Sequence, residues 1–199
     1  MSEKQPTDTQ PSFVGGHPVL DFANTIAWRT DTTRRVDRVP GGAADWRRWA
    51  VMAGLLDPAP DHALPSTERE LADLLDLRGA LEAVLDAFAD GTPPPAPAWE
   101  TLRRAILRAR EAAALPRALP LRWEPGARGL TDLRHALALR AEELLGGDGL
   151  SRVRRCAGPG CGWFFLDRTR GGTRRWCSSG DCGNRDRARR HYARTHHQA

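Results

Sequence analysis

The stretch CAGPGCGWFFLDRTRGGTRRWCSSGDCGNR, residues 156–185, contains all four cysteines of this chain of 199 residues. The cysteines follow the pattern Cys156-x4-Cys161-x15-Cys177-x4-Cys182, which is two close pairs with an excursion between them. Each pair can supply two thiolates from one turn, and the returning chain closes a tetrahedral zinc site. The spacing therefore predicts one Zn2+ held by these four side chains.

Two disulfides and four free thiols are the alternatives to a metal site. No apolar run approaches the roughly 20 residues that span a bilayer, and the polar N-terminus lacks the apolar stretch of a secretory signal. We therefore expect a cytoplasmic protein without a membrane segment, in which stable disulfides are unusual. His191, His196 and His197 could each replace a cysteine as ligand, but four thiolates already suffice.

The predicted zinc site is structural rather than catalytic. Four thiolates close the coordination sphere and leave no position for a reactive water. A tail of about 45 residues also buries too little apolar surface to fold on its own core, so it needs a metal or another cross-link.

Positive charge is concentrated in the same part of the chain. Residues 1–150 contain 18 Lys and Arg against 22 Asp and Glu, whereas residues 151–199 contain 12 Arg against 3 Asp. The two parts therefore have net charges of −4 and +9, which add up to the +5 of the whole chain. Such a charge density on a small module favours a polyanionic partner.

The rest of the chain is predicted to be mainly α-helical, with a small β element. Thr67 and Glu70 have the spacing of a capping box, and an apolar stripe follows, so residues 67–89 should form a long helix. Apolar periodicity predicts further helices over residues 19–28, 45–56, 97–114 and 131–145. The remaining predictions are a disordered N-terminus over residues 1–12 and a strand over residues 118–124.

The glycine-rich segment 146–149 marks the predicted boundary between a helical domain, residues 13–148, and a C-terminal zinc domain, residues 149–199. Within the zinc domain we expect a β-hairpin between the two cysteine pairs. Its strand would cover residues 162–167, its polar turn residues 168–173, and its returning strand residues 174–177. A helix should begin near Gly183.

Arginines of this final helix are the predicted nucleic-acid contacts. Arg187, Arg190 and Arg194 share one helical face by their i+3 and i+4 spacing. An α-helix fits the major groove of duplex DNA, where arginine reads guanine edges and neutralises phosphates. The full predicted set is Arg174, Arg175, Arg185, Arg187, Arg189, Arg190 and Arg194.

The motifs resemble a known pair of families. Residues 182–185 read CGNR, and together with WFFLD at 163–167 and RRWC at 174–177 they closely resemble the CGNR zinc finger of bacteria. LDFANT at 20–25 and LRGAL at 77–81 are similar to the ABATE domain that usually precedes this finger. The resemblance covers about residues 13–196 and implies that the four cysteines are the zinc ligands. It also implies a bacterial stress-induced transcription regulator.

A regulator of this kind implies a sensor as well as a DNA reader. The helical domain is the candidate sensor or dimerisation unit, with a small-molecule effector and a homodimer as possible partners. The predicted ligand site combines polar side chains in or beside its first helix with one aromatic ring and with Arg78 of the LRGAL segment: His17, Asp21, Asn24, Trp28, Arg29 and Arg78. A structural role is the stronger alternative for these residues, with Asp21 and Asn24 bonded to backbone groups or to Arg78 and the tryptophan in the core.

Two other functional classes stay open. The zinc module could bind RNA or scaffold a protein complex, and exposed rings of Trp163, Phe164 and Phe165 would then stack on unpaired bases. An enzyme that uses a pocket of the helical domain is the lesser alternative. The sequence has no glycine-rich phosphate loop, no HExxH motif and no recognisable catalytic triad, so we predict that the protein is not an enzyme.

Overall fold

The computed structural model describes residues 12–58 and 66–196. Of the predicted disordered N-terminus, residues 1–12, all but Ser12 lies outside the described residues. The helices and strands occur in this order: α1 Pro18–Ala23, β1 Ile26–Ala27, β2 Val36–Asp37, α2 Ala43–Met52, α3 Glu68–Asp90, α4 Ala96–Ala112, α5 Leu130–Gly146, a 3-10 turn Asp148–Arg152, β3 Val153–Arg155, β4 Phe164–Leu166 and α6 Cys182–His196. The predicted fold class is confirmed: helices dominate, with two small antiparallel strand pairs.

The long helix α3 begins and ends where its sequence signals predict. The Thr67 hydroxyl accepts the Glu70 N–H at 3.1 Å, and the Glu70 carboxylate accepts the Thr67 N–H at 2.8 Å, which completes the capping box. At the other end Gly91 takes a left-handed conformation with φ 67°, which glycine adopts without strain. This helix packs against α4 and α5, and all three contribute to the main core.

Helix α1 is shorter than its apolar periodicity predicts. It ends at Ala23, and the side chain of the next residue, Asn24, bonds to the backbone of Phe164. Ile26–Ala27 then forms a strand that pairs with Val36–Asp37. The prediction of a continuous helix over residues 19–28 was therefore wrong in its second half.

The predicted strand over residues 118–124 is also wrong. A single bridge between Ala114 and Glu124 is the only strand-like pairing there among the described residues. Pro120 lacks the N–H that a ladder requires, and Leu119 is 88% exposed, so no sheet face covers this segment.

The C-terminal segment shares the core of the helical region. We call residues 149–196 the four-cysteine module. Val153 and Phe164 of this module belong to the same buried cluster as Phe22, Trp46 and Leu137. Strand β4 lies against α1, and β3 lies against α3. The module is thus packed onto the helices rather than suspended from a linker.

No helix in the described parts of the chain combines the length and apolarity that crossing a membrane requires.

Candidate metal centre and the surface around it

The four cysteine sulfurs converge on one point. All four Sγ atoms lie within 4.8 Å of one another, and all four side chains are buried. The Cys161–Cys177 and Cys177–Cys182 sulfur pairs are 3.7 and 3.6 Å apart. Tetrahedral coordination with Zn–S bonds of about 2.3 Å places sulfurs roughly 3.8 Å apart. The donor set therefore fits zinc, which would cross-link two distant turns and leave no open position.

A glycine-rich turn presents the first pair of cysteines. Cys156 follows directly after β3, and its N–H donates to the Trp163 carbonyl oxygen at 2.7 Å, which closes the turn. The N–H groups of Gly158 and Cys177 point at the Cys156 sulfur at 3.4 and 3.3 Å. The neighbouring thiols of Cys161, Cys177 and Cys182 hold the pKa of Cys156 far below its usual range. Cys156 therefore favours the thiolate, the form that binds a metal, whereas contact with Cys156 raises the pKa of Cys161 and of Cys177.

The hairpin of the module differs from the predicted one. Strand β4 pairs with β3, in the register Val153–Leu166, Arg154–Phe165 and Arg155–Phe164, and not with residues 174–177. The first cysteine pair therefore sits in the connection between the two strands. The prediction failed because the side chain of Val153 is part of the main core. Packing therefore favours β3, the strand before the cysteines, over residues 174–177 as the partner of β4.

Asp167 organises the chain between the two pairs. Its carboxylate is buried and accepts the Thr169 N–H at 2.9 Å, the Thr169 hydroxyl at 2.6 Å and the Arg174 N–H at 2.9 Å. Hydrogen bonds from Thr169, and then from Arg174, lower the pKa of Asp167. This residue fixes the loop that brings Cys177 back to the site, a role that spacing alone does not reveal.

Two family profiles match the chain. Residues 152–195 match the CGNR zinc finger, and residues 16–148 match the ABATE profile, described as "Putative stress-induced transcription regulator". The chain belongs to the ABATE family. The four-cysteine module is its CGNR zinc finger, and the predicted structural Zn2+ site is confirmed. Both profiles are of regulator and zinc-finger types rather than enzyme families. No curated protein matches the sequence.

Three predicted ligand residues of the ABATE region lie in or next to α1. Each of them forms hydrogen bonds within the protein. The His17 ring accepts the Val19 N–H at 3.3 Å and caps α1, and burial lowers its pKa. Asp21 accepts the Gly15 N–H at 2.7 Å. The Asn24 side chain forms two hydrogen bonds with the backbone of Phe164 in the zinc finger, each of 2.8 Å.

The two predicted arginines of the ABATE ligand site are equally engaged. Arg29 donates to the Gly162 carbonyl oxygen of the zinc finger at 2.7 Å and to the carboxylate of Asp86 on α3 at 2.8 Å. Arg78 donates to the Thr25 hydroxyl at 3.0 Å and to the Asp37 carboxylate at 2.7 Å. These contacts give both residues a structural role, and the small-molecule site stays a prediction.

The seven predicted nucleic-acid arginines fall into two groups. Arg174 is used within the zinc finger, because its guanidinium donates to the carbonyl oxygens of Trp176 and Cys177 and lies over the Phe165 ring. Arg185 donates to the Cys182 sulfur at 2.8 Å and pairs with Asp181. The second group consists of five residues that are exposed, as Arg185 also is: Arg175, Arg187, Arg189, Arg190 and Arg194.

Contacts within α6, and one with the loop before it, hold three of those exposed arginines in place. Arg189 and Arg190 both pair with Asp186, at 2.6 and 3.0 Å. Arg187 donates to the Asn184 side chain and to the Ser179 carbonyl oxygen ahead of the helix. Ala188 and Tyr192 of this helix are exposed, whereas Asp186 is buried, as is the ligand Cys182.

The aromatic run of the zinc finger is buried. Trp163, Phe164 and Phe165 are each at most 5% exposed, and the Trp163 ring N–H donates to the Ile26 carbonyl oxygen at 2.7 Å. These rings cannot stack on unpaired bases, so that version of the RNA hypothesis fails. Their burial instead fixes the zinc finger to the strand β1.

Asp21 makes the stability of this ABATE protein depend on pH. Burial raises its pKa to about 6, although the Gly15 N–H acts in the opposite direction. The folded protein therefore binds this proton more tightly than the unfolded chain. The resulting stabilisation is complete below about pH 4 and is lost as the pH rises through 6. Replacing Asp21 by Asn should raise the free energy of unfolding at pH 7.5 by up to about 3 kcal/mol.

Denaturant titrations from pH 4 to pH 8 test this expectation. The stability difference between Asp21→Asn and the unchanged protein should be small at pH 4 and grow to its full value above pH 6. The same change at the exposed Asp76 of α3 is the control and should produce no such trend. A difference that is constant with pH would contradict the role of Asp21.

Proposed function

We propose that this protein regulates transcription by binding duplex DNA, with α6 of the zinc finger in the major groove. The observation that carries the proposal is the placement of this helix. It begins at the zinc ligand Cys182, and from Asn184 to Thr195 every residue except Asp186 is exposed. A helix that is fixed at its base and uncovered along its length is available to a partner.

The dimensions and charge of α6 suit a DNA groove. Its 15 residues extend over roughly 22 Å at the usual rise of an α-helix. The major groove is about 12 Å wide and admits a helix of that diameter. The helix contains five arginines against the single acidic residue Asp186. The surplus of positive charge would be balanced by phosphates, whose condensed counterions are released on binding.

Salt bridges within α6 also restrict the side chains of two arginines before any partner binds. Asp186 is 8% exposed and contacts both Arg189 and Arg190, whose side chains remain more than half exposed. The carboxylate restricts where these guanidinium groups can point without removing them from solvent. Restricted side chains lose less entropy when they bind, which supports a role in recognition.

Changing Arg190 and Arg194 together to Ala should weaken binding to DNA by roughly tenfold or more at physiological salt. Arg187 is left in place because it also bonds to the loop before the helix. The measurement is fluorescence anisotropy with a labelled pool of random-sequence duplexes, repeated over a range of KCl concentrations. Each lost phosphate contact should reduce the slope of log K against log salt by about 0.9.

The matched control is the double change of Arg103 and Arg104 to Ala. Both side chains are more than half exposed and lie on α4, where they pair with Glu100. This control removes the same charge and should leave the affinity unchanged. Structured RNA serves as the competitor: if it displaces the duplex at lower concentrations than unlabelled duplex does, an RNA partner replaces the DNA proposal. Absent or salt-insensitive duplex binding would reject it.

Other parts of the proposed regulator come from the sequence and from the family. Sensing of a small effector by the ABATE region, homodimer formation and a cytoplasmic location stay predictions. The division into a helical domain over residues 13–148 and a zinc domain over residues 149–199 is part of the same proposal.

A further inference from the structure

Trp28 of the ABATE region lies at the base of α6. The guanidinium carbon of Arg185, in the first turn of that helix, is 4.6 Å from the Trp28 ring centroid. The guanidinium carbon of Arg34 lies 3.2 Å from the ring of the same tryptophan. Trp28 has a φ of 54°, the only positive value among the non-glycine residues described. Such a conformation costs free energy and needs surrounding contacts that hold it in place.

The chain around Trp28 is tied to the zinc finger by its backbone. The N–H groups of Arg29 and Thr30 donate to the carbonyl oxygens of Cys161 and Gly160, at 3.0 and 3.3 Å. Both Gly160 and Gly162 have positive φ, and a Cβ on Gly162 would lie 2.7 Å from the Thr30 side chain. Only glycine permits this close approach. The residues after Trp28 are therefore held in a fixed position beside the first cysteine pair.

This geometry places a second cationic element next to the final helix. We call residues 30–35 the Arg34 loop. Its Arg34 is exposed and lies over the same indole as Arg185. Cation–π contacts of this kind hold a guanidinium in place while leaving its outer edge free to bind an anion.

The other charged groups nearby are already engaged. Asp31 accepts the N–H and the hydroxyl of Thr33, Arg35 pairs with Glu82 at 3.1 Å, and Asp181 pairs with Arg185 at 2.8 Å. Asp31 and Arg34 also attract each other electrostatically, which helps to lower the pKa of Asp31, although its hydrogen bonds with Thr33 contribute more. Arg34 is thus the residue of this loop best placed to contact an outside anion.

We infer that the Arg34 loop and α6 form one composite DNA-binding surface, in which Arg34 contacts a backbone phosphate of the duplex that α6 enters. This inference rests on the proposed function and extends it into the ABATE region. The helical region then takes part in DNA binding directly, because its loop is bonded to the zinc finger. A phosphate is the fitting ligand since guanidinium presents a planar fork of donors to its oxygens.

Three changes at Arg34 test the composite surface, with the same anisotropy assay and random duplex pool. Arg34→Ala should weaken binding about threefold to tenfold and lower the salt slope by about 0.9, the value for one phosphate contact. Arg34→Glu should weaken it further, and Arg34→Lys should restore most of the affinity because it retains the charge. Arg104→Ala, an exposed arginine of α4, is the matched control.

Zinc content and the thermal midpoint of each variant show whether its fold is intact. The inference is wrong if Arg34→Ala and Arg34→Glu bind like the unchanged protein while the Arg190 and Arg194 double change weakens binding. That result would leave the proposed function standing. Absence of duplex binding by the unchanged protein would overturn both. Loss of affinity in Arg34→Ala and Arg34→Glu, recovered in Arg34→Lys with zinc retained, would support the composite surface.

Discussion

Removal of the zinc is expected to unfold the finger and to destabilise the helical region with it. A structural zinc site contributes on the order of 10–16 kcal/mol in peptide systems, which is comparable to the total stability of a whole domain. Without the ion, the buried sulfurs of Cys161 and Cys177 lose the bond that holds two separate turns together. The effect should spread because Val153 and Phe164 belong to the main core.

Cys177→Ser and a strong chelator provide two independent ways to remove the metal. Elemental analysis measures zinc, and far-ultraviolet circular dichroism measures the thermal midpoint. We expect one cooperative transition in the zinc-loaded protein and a lower midpoint for the whole chain after removal. Ser178→Ala, next to the ligand, should retain zinc and the original midpoint. A helical region that melts at an unchanged temperature without zinc would show that the shared core contributes little.

The second large effect is expected from Asn24→Ala. Asn24 is 2% exposed, and its amide donates to the Phe164 carbonyl oxygen while its own oxygen accepts the Phe164 N–H. The change leaves two buried backbone groups without partners, and each costs about 1–3 kcal/mol. We therefore expect the free energy of unfolding to fall by about 2–6 kcal/mol, with β4 losing its attachment to α1.

Urea titration gives the size of this loss, and hydrogen exchange at the Phe164 amide gives its location. Asn184→Ala removes an exposed amide that donates to the Gly180 carbonyl oxygen, and it should cost far less. Asn24→Asp tests one of the two bonds separately, since its carboxylate still accepts the Phe164 N–H but cannot donate to the Phe164 carbonyl oxygen. If Asn24→Ala and Asn184→Ala lowered the free energy of unfolding by the same amount, Asn24 would not be a bridge between α1 and β4.

Local signals in the sequence were sufficient for the long helices α3, α4 and α5 and for the metal site. The capping box at Thr67 and Glu70 predicts the start of α3 because both partners are three residues apart. The predicted start of α5 at residue 131 is one residue from the observed Leu130. The zinc ligands follow from spacing because a tetrahedral site needs two turns with two sulfurs each.

Contacts between residues distant in the sequence could not be predicted in this way. Asn24 was singled out for its chemistry, but its partner Phe164 is 140 residues away, and nothing local indicates that pairing. The same limitation explains the wrong hairpin, since the choice between the segments at 153–155 and 174–177 depends on which of them the main core accepts. A connection that contains glycine joins each of them to the strand at 164–166, so turn residues alone do not decide between them.

The arginines of the zinc finger show a related limitation. Composition gives the number of arginines, and helical spacing gives the face of the helix on which each one lies. Neither distinguishes an arginine that stabilises the fold from one that contacts a partner. Arg174 bonds to backbone carbonyls around the metal, whereas Arg175, the next residue, is exposed. Arg34 has no such signal in the sequence because it lies in the acidic part of the chain, and its position over Trp28 connects it with the final helix.

The hydrogen-bonded join between Asn24 and Phe164 has a consequence for the evolution of this architecture. A genetic exchange that brought in an unrelated zinc finger would have to preserve the side-chain amide at position 24. The new finger would also need a strand edge with free backbone groups where β4 now lies. Drift at position 24 would leave the N–H and the carbonyl oxygen of residue 164 without partners, whereas the side chain at position 164 takes no part in these two bonds. The two segments should therefore be inherited together, and lineages that acquired a different finger should also have replaced the residue at position 24.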